Sequence, residues 1–266
     1  MPFQPHDPSY ISVSQINNYS GGYGCPARYF FGYVLRLRSR FVGSSLAIGS
    51  GLGRAIQTPL PKGCTDSLPV WFDAWEDYVH SVWDELDPDV DRDAMLSKGK
   101  DMLRALAKVG VRVSGIPEFE VKGAILNCPD TGEELPPLIA YLDWYDPICH
   151  HIVEFKTSAS IKRWSTHLVQ LAVYRYVTTK IGPSGERIPP TVELLQVNRG
   201  KSPRVHSETI FGLNDKKENW VLRSVAQTVR AIRAGHFPTR PSYACNSCDF
   251  RAACQDDDFS GLQEKY

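Results

Sequence analysis

Three side chains draw attention because ordinary strands seldom carry them. Leu142-Asp143-Trp144 sets an aspartate among large apolar groups, and Ile152-Val153-Glu154-Phe155-Lys156 sets Glu154 and Lys156 two positions apart. In an extended chain that spacing projects both from one face. Paired as a hairpin, the two segments would bring Asp143, Glu154 and Lys156 together. Converging carboxylates repel unless a cation neutralises them, and hard divalent ions such as Mg²⁺ take oxygen ligands. A neighbouring lysine can hold a water or offset charge developing on a phosphate. Metal-assisted phosphodiester hydrolysis needs that combination. A bare Glu-x-Lys equally describes a surface pair on an exposed strand, and spacing alone does not separate the two readings.

Two further groups could join such a site. His167, Gln170 and Tyr174 follow at helical intervals of three and four, so they can share one helix face. Cysteines lie at 25, 64, 128, 149, 245, 248 and 254, an odd set with no export signal beside it. A disulfide framework is therefore not expected, and metal binding or plain burial is the better reading. Cys245, Cys248 and Cys254 make a soft-metal site that lacks one ligand. Cys25 is the natural fourth, since Cys64, Cys128 and Cys149 stand alone. Zinc is the plain alternative for a lone CxxC.

The elements that must position these groups can be traced in order. Ser12 or Ser14 can cap a short helix through Asn18. After Gly21–Gly24 and Cys25-Pro26, residues 27–35 alternate aromatic and basic groups at helical spacing. Residues 43–58 are glycine-rich, which suits a closely packed helix, and no Gly-Lys-Ser/Thr marks a phosphate loop. From Leu68 to about Val113 Trp71, Trp75, Val79 and Trp83 recur every three or four, interrupted at Asp87-Pro88-Asp89. The period turns to two over 118–123, and strands follow at Leu138–Tyr145 and His151–Lys156. A helix is expected over Ile161–Thr179, strands at Thr191–Asn198 and Arg204–Thr209, and a last helix over Lys216–Ala234 stopped by Gly235. The pattern is that of an α/β domain with a mixed sheet.

Composition sets limits on function. The chain has 266 residues, 42% hydrophobic and 23% charged, so disorder is excluded. No stretch reaches the roughly 18–20 apolar residues of a membrane span. MPFQPHDPSY lacks a basic start and an apolar run, so no secretory signal and a cytoplasmic location are expected. Thirty basic residues balance thirty acidic ones, which excludes a generally cationic surface. Residues 1–65 hold six basic and one acidic, 66–134 seven and sixteen, and 151–250 fifteen and seven. Two basic ends thus flank an acidic insertion, which also fits a plain solvated helical face.

Asp, Glu-x-Lys and Gln-x-x-x-Tyr, in this order, resemble the RecB-like branch of the PD-(D/E)XK nuclease superfamily. The resemblance implies a restriction-endonuclease-like mixed-sheet core (118–198) with a helical insertion (about 66–113), all one domain over 1–266. It assigns Asp143 and Glu154, with the Phe155 carbonyl, to Mg²⁺ or Mn²⁺, Lys156 to the attacking water, and Gln170 and Tyr174 to a helix beside the active site that positions the DNA strand. The Cys–(long gap)–Cys-x2-Cys-x5-Cys pattern and Cys25-Pro26-Ala27-Arg28-Tyr29-Phe30 are similar to the iron–sulfur members of that family, among them the AddB nuclease domain, the CRISPR-associated exonucleases and exonuclease V. They imply a 4Fe–4S cluster on Cys25, Cys245, Cys248 and Cys254 that joins the chain ends. The expected activity is a DNA exonuclease on single strands or DNA ends, without sequence choice, in recombination, repair or CRISPR adaptation alongside proteins of those processes. Arg163, Arg175, Arg199 and Lys201 are expected on phosphates. One departure stands out: the family's Gly-x-x-x-His ligand meets Gly53 or, in a shifted frame, Gln57, with His167, Glu118 or Glu120 as substitutes. That leaves a catalytically weak, DNA-end-binding subunit as the alternative.

Overall fold

Alternating apolar runs and amphipathic helices account for the architecture of the computed structural model, which describes residues 6–21, 24–61, 66–111 and 115–265. The first part of the chain gives β1 (Ile11–Ser12), α1 (Val13–Ser20), α2 (Pro26–Tyr29), β2 (Leu37–Ser39), α3 (Ser44–Gln57), α4 (Leu68–Ser81) and α5 (Arg92–Lys108). The middle gives β3 (Ile116–Ala124), β4 (Leu138–Asp146), β5 (His151–Ser158), α6 (Leu168–Thr178), β6 (Lys180–Ile181) and β7 (Arg187–Ile188). The last part gives β8 (Thr191–Asn198), β9 (Val205–Thr209), α7 (Asp215–Arg233), α8 (Arg251–Gln255) and β10 (Leu262–Glu264).

The central sheet runs β1-β4-β5-β8-β9, with β3 also on β4. It is mixed, as expected: β5 and β8 are parallel from His151–Thr191 to Ser158–Asn198, whereas β3, β4 and β5 pair antiparallel. Helices cover both faces, which is why β8 reads as a nearly unbroken apolar run. On one face Leu142, Ile152 and Leu194 pack with Leu171 and Val173 of α6 and with Val221, Val225 and Val229 of α7. On the other, Trp144, Val153, Phe155 and Val197 pack with residues of α3, α4 and α5. The expected helical insertion is therefore a structural layer. Its centre is Trp75, fully buried, whose indole lies so close to Gly51 of α3 and Gly99 of α5 that a Cβ at either would collide with it.

Local signals explain the element ends. Ser12 caps α1 in a reciprocal capping box with Gln15, at 3.2 Å and 2.6 Å. Asp91 caps α5, and Asn214 caps α7. Gly235, at φ +69°, closes α7, with His236 N–H donating back to the Ala231 carbonyl. Two expectations change. The helix expected from Ile161 begins at Leu168, because Trp164–His167 form a 3₁₀ turn before it. The helix expected through Leu35 keeps α geometry only to Tyr29 and widens to a π-turn over Phe30–Val34. Gly22, Tyr23, Cys64 and the expected helix end near Val113 lie outside the described residues. No helix among the described residues is long and apolar enough to cross a membrane.

Candidate active site

The sheet forks where the charged residues sit. β3 follows β4 along nearly its whole length, so β1 and β5 share the other edge, β1 at Leu138–Ile139 and β5 only at Trp144–Asp146. Between them lie Asp143 and, on the diverging β5, Glu154. At this point Phe155 N–H donates to Asp143 Oδ2 at 2.7 Å in place of a ladder carbonyl. The side-chain alternation of β4 slips here too: Leu138, Ala140 and Leu142 face one core, and Trp144 faces the other. On β3, Glu118 crosses into left-handed backbone at φ +46°, an uncommon state for a glutamate.

Asp143, Glu154 and Lys156 come together at the fork. Glu154 is 1% exposed. Its Oε1 accepts from Lys156 Nζ and from Gln170 Nε2 at 2.7 Å, while its Oε2 is buried without a partner. Burial pushes the Glu154 carboxyl up to about 8, with Lys156 pulling it down and Asp143 pushing it up. Asp143 is raised for the same main reason, against Lys156 and the Phe155 N–H. Burial works to lower Lys156, but Glu154 and Asp143 outweigh it and hold the ammonium above its ordinary value. In this arrangement Lys156 is a donor and cannot take up a proton.

Gln170 and Tyr174 complete the cluster from α6. Gln170 Nε2 also donates to the Tyr174 hydroxyl at 2.8 Å, and that hydroxyl donates to the Tyr141 carbonyl. One amide thus fixes the Glu154 carboxyl to the helix and, through Tyr174, to β4. All five residues line one cleft of about 960 Å³ with His167, Lys162 and Arg28. His167 Nε2 is buried and unpartnered, and burial lowers its ring to about 4, so the imidazole is neutral. Gln57, at the end of α3, donates to the Asp143 backbone carbonyl at 3.3 Å. Gly53 has open space where a side chain would begin.

Several expectations require correction or addition. Arg175 is not on a phosphate-facing surface: it is buried and bonds Glu218 at 2.5 Å and Asp215 at 2.7 Å, tying α6 to α7. Its neighbour Tyr174 faces the cleft, so Arg175 turns away from it. Arg163, Arg199 and Lys201 are not among the residues lining the cleft, and neither are Glu118 and Glu120. Glu120 is paired with Lys122 at 2.9 Å. Sequence reasoning missed Gln196, which is fully buried on β8 beside Lys156. Its amide binds the Lys162 N–H at 3.0 Å and the Lys162 carbonyl at 2.7 Å, fixing the loop that enters the cleft. A glutamine inside the apolar run Leu194-Leu195-Gln196-Val197 was the available signal.

The chain ends meet at a second cavity of about 160 Å³, lined by Cys25, Cys245, Cys248 and Cys254. Arg240 N–H points at Cys25 Sγ at 3.3 Å and Ser242 N–H at Cys245 Sγ at 3.4 Å. β2 pairs with β10 nearby, and Arg28 reaches Asp249 at 3.7 Å. Cys128 and Cys149 are unpaired thiols elsewhere. Among the described residues, no three His, Cys, Asp or Glu side chains converge as a ready-made set for a single ion.

The likeness to known proteins agrees with this geometry. The family model of the PD-(D/E)XK nuclease superfamily matches residues 10–255. The chain belongs to that superfamily. A solved structure from Eubacterium rectale, described as a candidate exonuclease, aligns with TM-score 0.61 at 14% identity, covering 90% of this chain and 87% of that one. At that identity the likeness shows a shared fold. Another solved structure, SSO0001, aligns with TM-score 0.39 at 16% identity over 82% of this chain and 87% of that one, too low to bear on the fold. No curated protein matches.

Proposed function

We propose that this chain is a divalent-metal-dependent deoxyribonuclease that degrades DNA from ends or single strands, without sequence preference, in recombination, repair or CRISPR adaptation. The observation that carries this reading is the buried Glu154 Oε2 with no partner, beside a second carboxylate and a lysine. A buried carboxyl oxygen without a partner is costly, and a hard cation that displaces the proton burial keeps on Glu154 would satisfy it. Asp143, Glu154 and the Phe155 carbonyl would hold Mg²⁺ or Mn²⁺, a small set that suits an ion completed by water and phosphate oxygens. When bound, the ion supplies Lewis-acid polarisation of the phosphate. Lys156, kept charged, orients the attacking water and offsets charge at the phosphate. Gln170 holds the Glu154 carboxyl in place, and Tyr174 anchors Gln170.

The four thiols suit a 4Fe–4S cluster. A water needs about 10–15 Å³ of such space, so a cavity of about 160 Å³ ringed by cysteines is roomy for one bare ion. A brown protein whose broad visible absorption dithionite bleaches supports the cluster, and a colourless zinc-containing protein refutes it.

Labelled single-stranded DNA with Mn²⁺, handled anaerobically, tests the activity. The wild-type protein should degrade it and Lys156→Ala should not. Equal rates for the two would sink the assignment. Tight binding by the wild type without products would mark it as an end-binding subunit, the reading that the absent family histidine favours.

A further inference from the structure

The cleft does not end at the carboxylates. It continues past α1, where Ser14 and Asn17 line it, to Trp220 on α7 and Tyr243 in the cysteine-bearing segment. Asp143 and Glu154 are the only carboxylates among its lining residues; the other charged groups are Lys156, Lys162 and Arg28. With both carboxylates at the fork, the arm toward Trp220 and Tyr243 carries no negative side chain, as a phosphate backbone requires. Two large rings are exposed in that arm, Trp220 at 58% and Tyr243 at 72%. Neither belongs to a hydrophobic core cluster, although Val221 beside Trp220 is fully buried. Single exposed aromatics are ordinary. Here two of them, largely exposed, line one polar cleft that leads to the nuclease centre.

We infer that this arm is the path of an unpaired DNA strand, with Trp220 and Tyr243 as base-stacking side chains and Arg28 as a phosphate contact. The inference rests on the nuclease reading and adds to it the residues that hold the strand. Stacking accepts every base because each has a π-face, so it gives affinity without sequence choice. Base-paired DNA has its faces covered and gains nothing from the rings. Arg28 meets Asp249 only at 3.7 Å, so its guanidinium can turn to a phosphate without breaking a tight pair. Because Tyr243 lies two residues before Cys245, the segment that closes the cysteine cavity also forms a wall of the strand path.

The test uses the full chain in metal-free buffer with a short oligo(dT) carrying one 2-aminopurine, whose fluorescence falls when it stacks. The wild type should bind and quench. Trp220→Ala and Tyr243→Ala should each weaken binding about tenfold or more and reduce the quench, while Trp220→Phe and Tyr243→Phe keep most of both. Blunt duplex of equal length should respond to none of these changes. Ala variants that bind and quench as the wild type does would overturn the proposal, as would an equal loss on duplex. Unchanged thermal unfolding of the variants confirms that the fold is intact. Wild-type binding and quenching without cleavage in Mn²⁺ would leave the strand path standing and defeat the nuclease reading alone.

Discussion

Replacing Glu154 by Gln tests the electrostatics of the fork through stability as well as activity. In the metal-free protein, burial lifts the Glu154 carboxyl from 4.5 to about 8. Between those values the folded protein keeps a proton that the unfolded chain has lost. Stability therefore falls as pH rises through this window and levels off above it. At 1.36 kcal/mol for each unit, the fall between pH 5 and pH 8 is about 3 kcal/mol. The amide of the Glu154→Gln variant does not titrate, so the variant lacks this fall. The stability difference between wild type and variant should thus shift by about 3 kcal/mol over that range, whatever constant offset the amide introduces. For a chain of this size it corresponds to roughly 6–12 °C in melting temperature. Urea unfolding at pH 5, 6, 7 and 8 in metal-free buffer measures it. Mn²⁺ added at pH 8 should raise the wild type and leave the variant nearly unmoved. A difference that stays flat with pH would refute the claim that Glu154 is desolvated at the fork.

Two further outcomes follow from packing and positioning. Gly99→Ala should destabilise by about 1–3 kcal/mol, because the new methyl meets the Trp75 indole and outweighs the gain of up to about 1 kcal/mol in helix propensity; an unchanged urea midpoint would refute it. Gln170→Ala should lower kcat by about 10- to 100-fold with little change in KM, since it frees the Glu154 carboxyl and leaves Trp220, Tyr243 and Arg28 in place. Steady-state cleavage rates check this, and a change confined to KM would contradict it.

The strands β4, β5 and β8, the long helix α7 and the Asp143–Glu154–Lys156 grouping were legible because period-two and period-3.6 patterns are local. What escaped depended on distant partners. Arg175 reads as a surface cation until Glu218, 43 positions away, is folded against it. The two-residue strand β1 has no periodicity to detect, yet it occupies the edge of β4 that β5 leaves. The late start of α6 follows from the 3₁₀ turn at Trp164–His167, which a helical apolar pattern does not distinguish from α-helix. That the four cysteines line one cavity follows their pattern, but the link from that segment to the active cleft through Arg28 and Tyr243 was not legible.

The fork divides the site into parts of unequal stiffness. Glu154 and Lys156 ride on β5, which is laced to β8 over eight consecutive pairs. Asp143 rides on the β3–β4 ribbon, which joins β5 through three pairs and the Phe155 amide. A load that spreads the two carboxylates meets little resistance from the ladder, whereas one that separates Glu154 from Lys156 must distort a strand held along its length. Across the Asp143–Glu154 gap the resistance comes instead from side chains, the Phe155 amide and the Gln170–Tyr174 link to the Tyr141 carbonyl, whereas the backbone ladder itself holds the carboxylate–lysine pair.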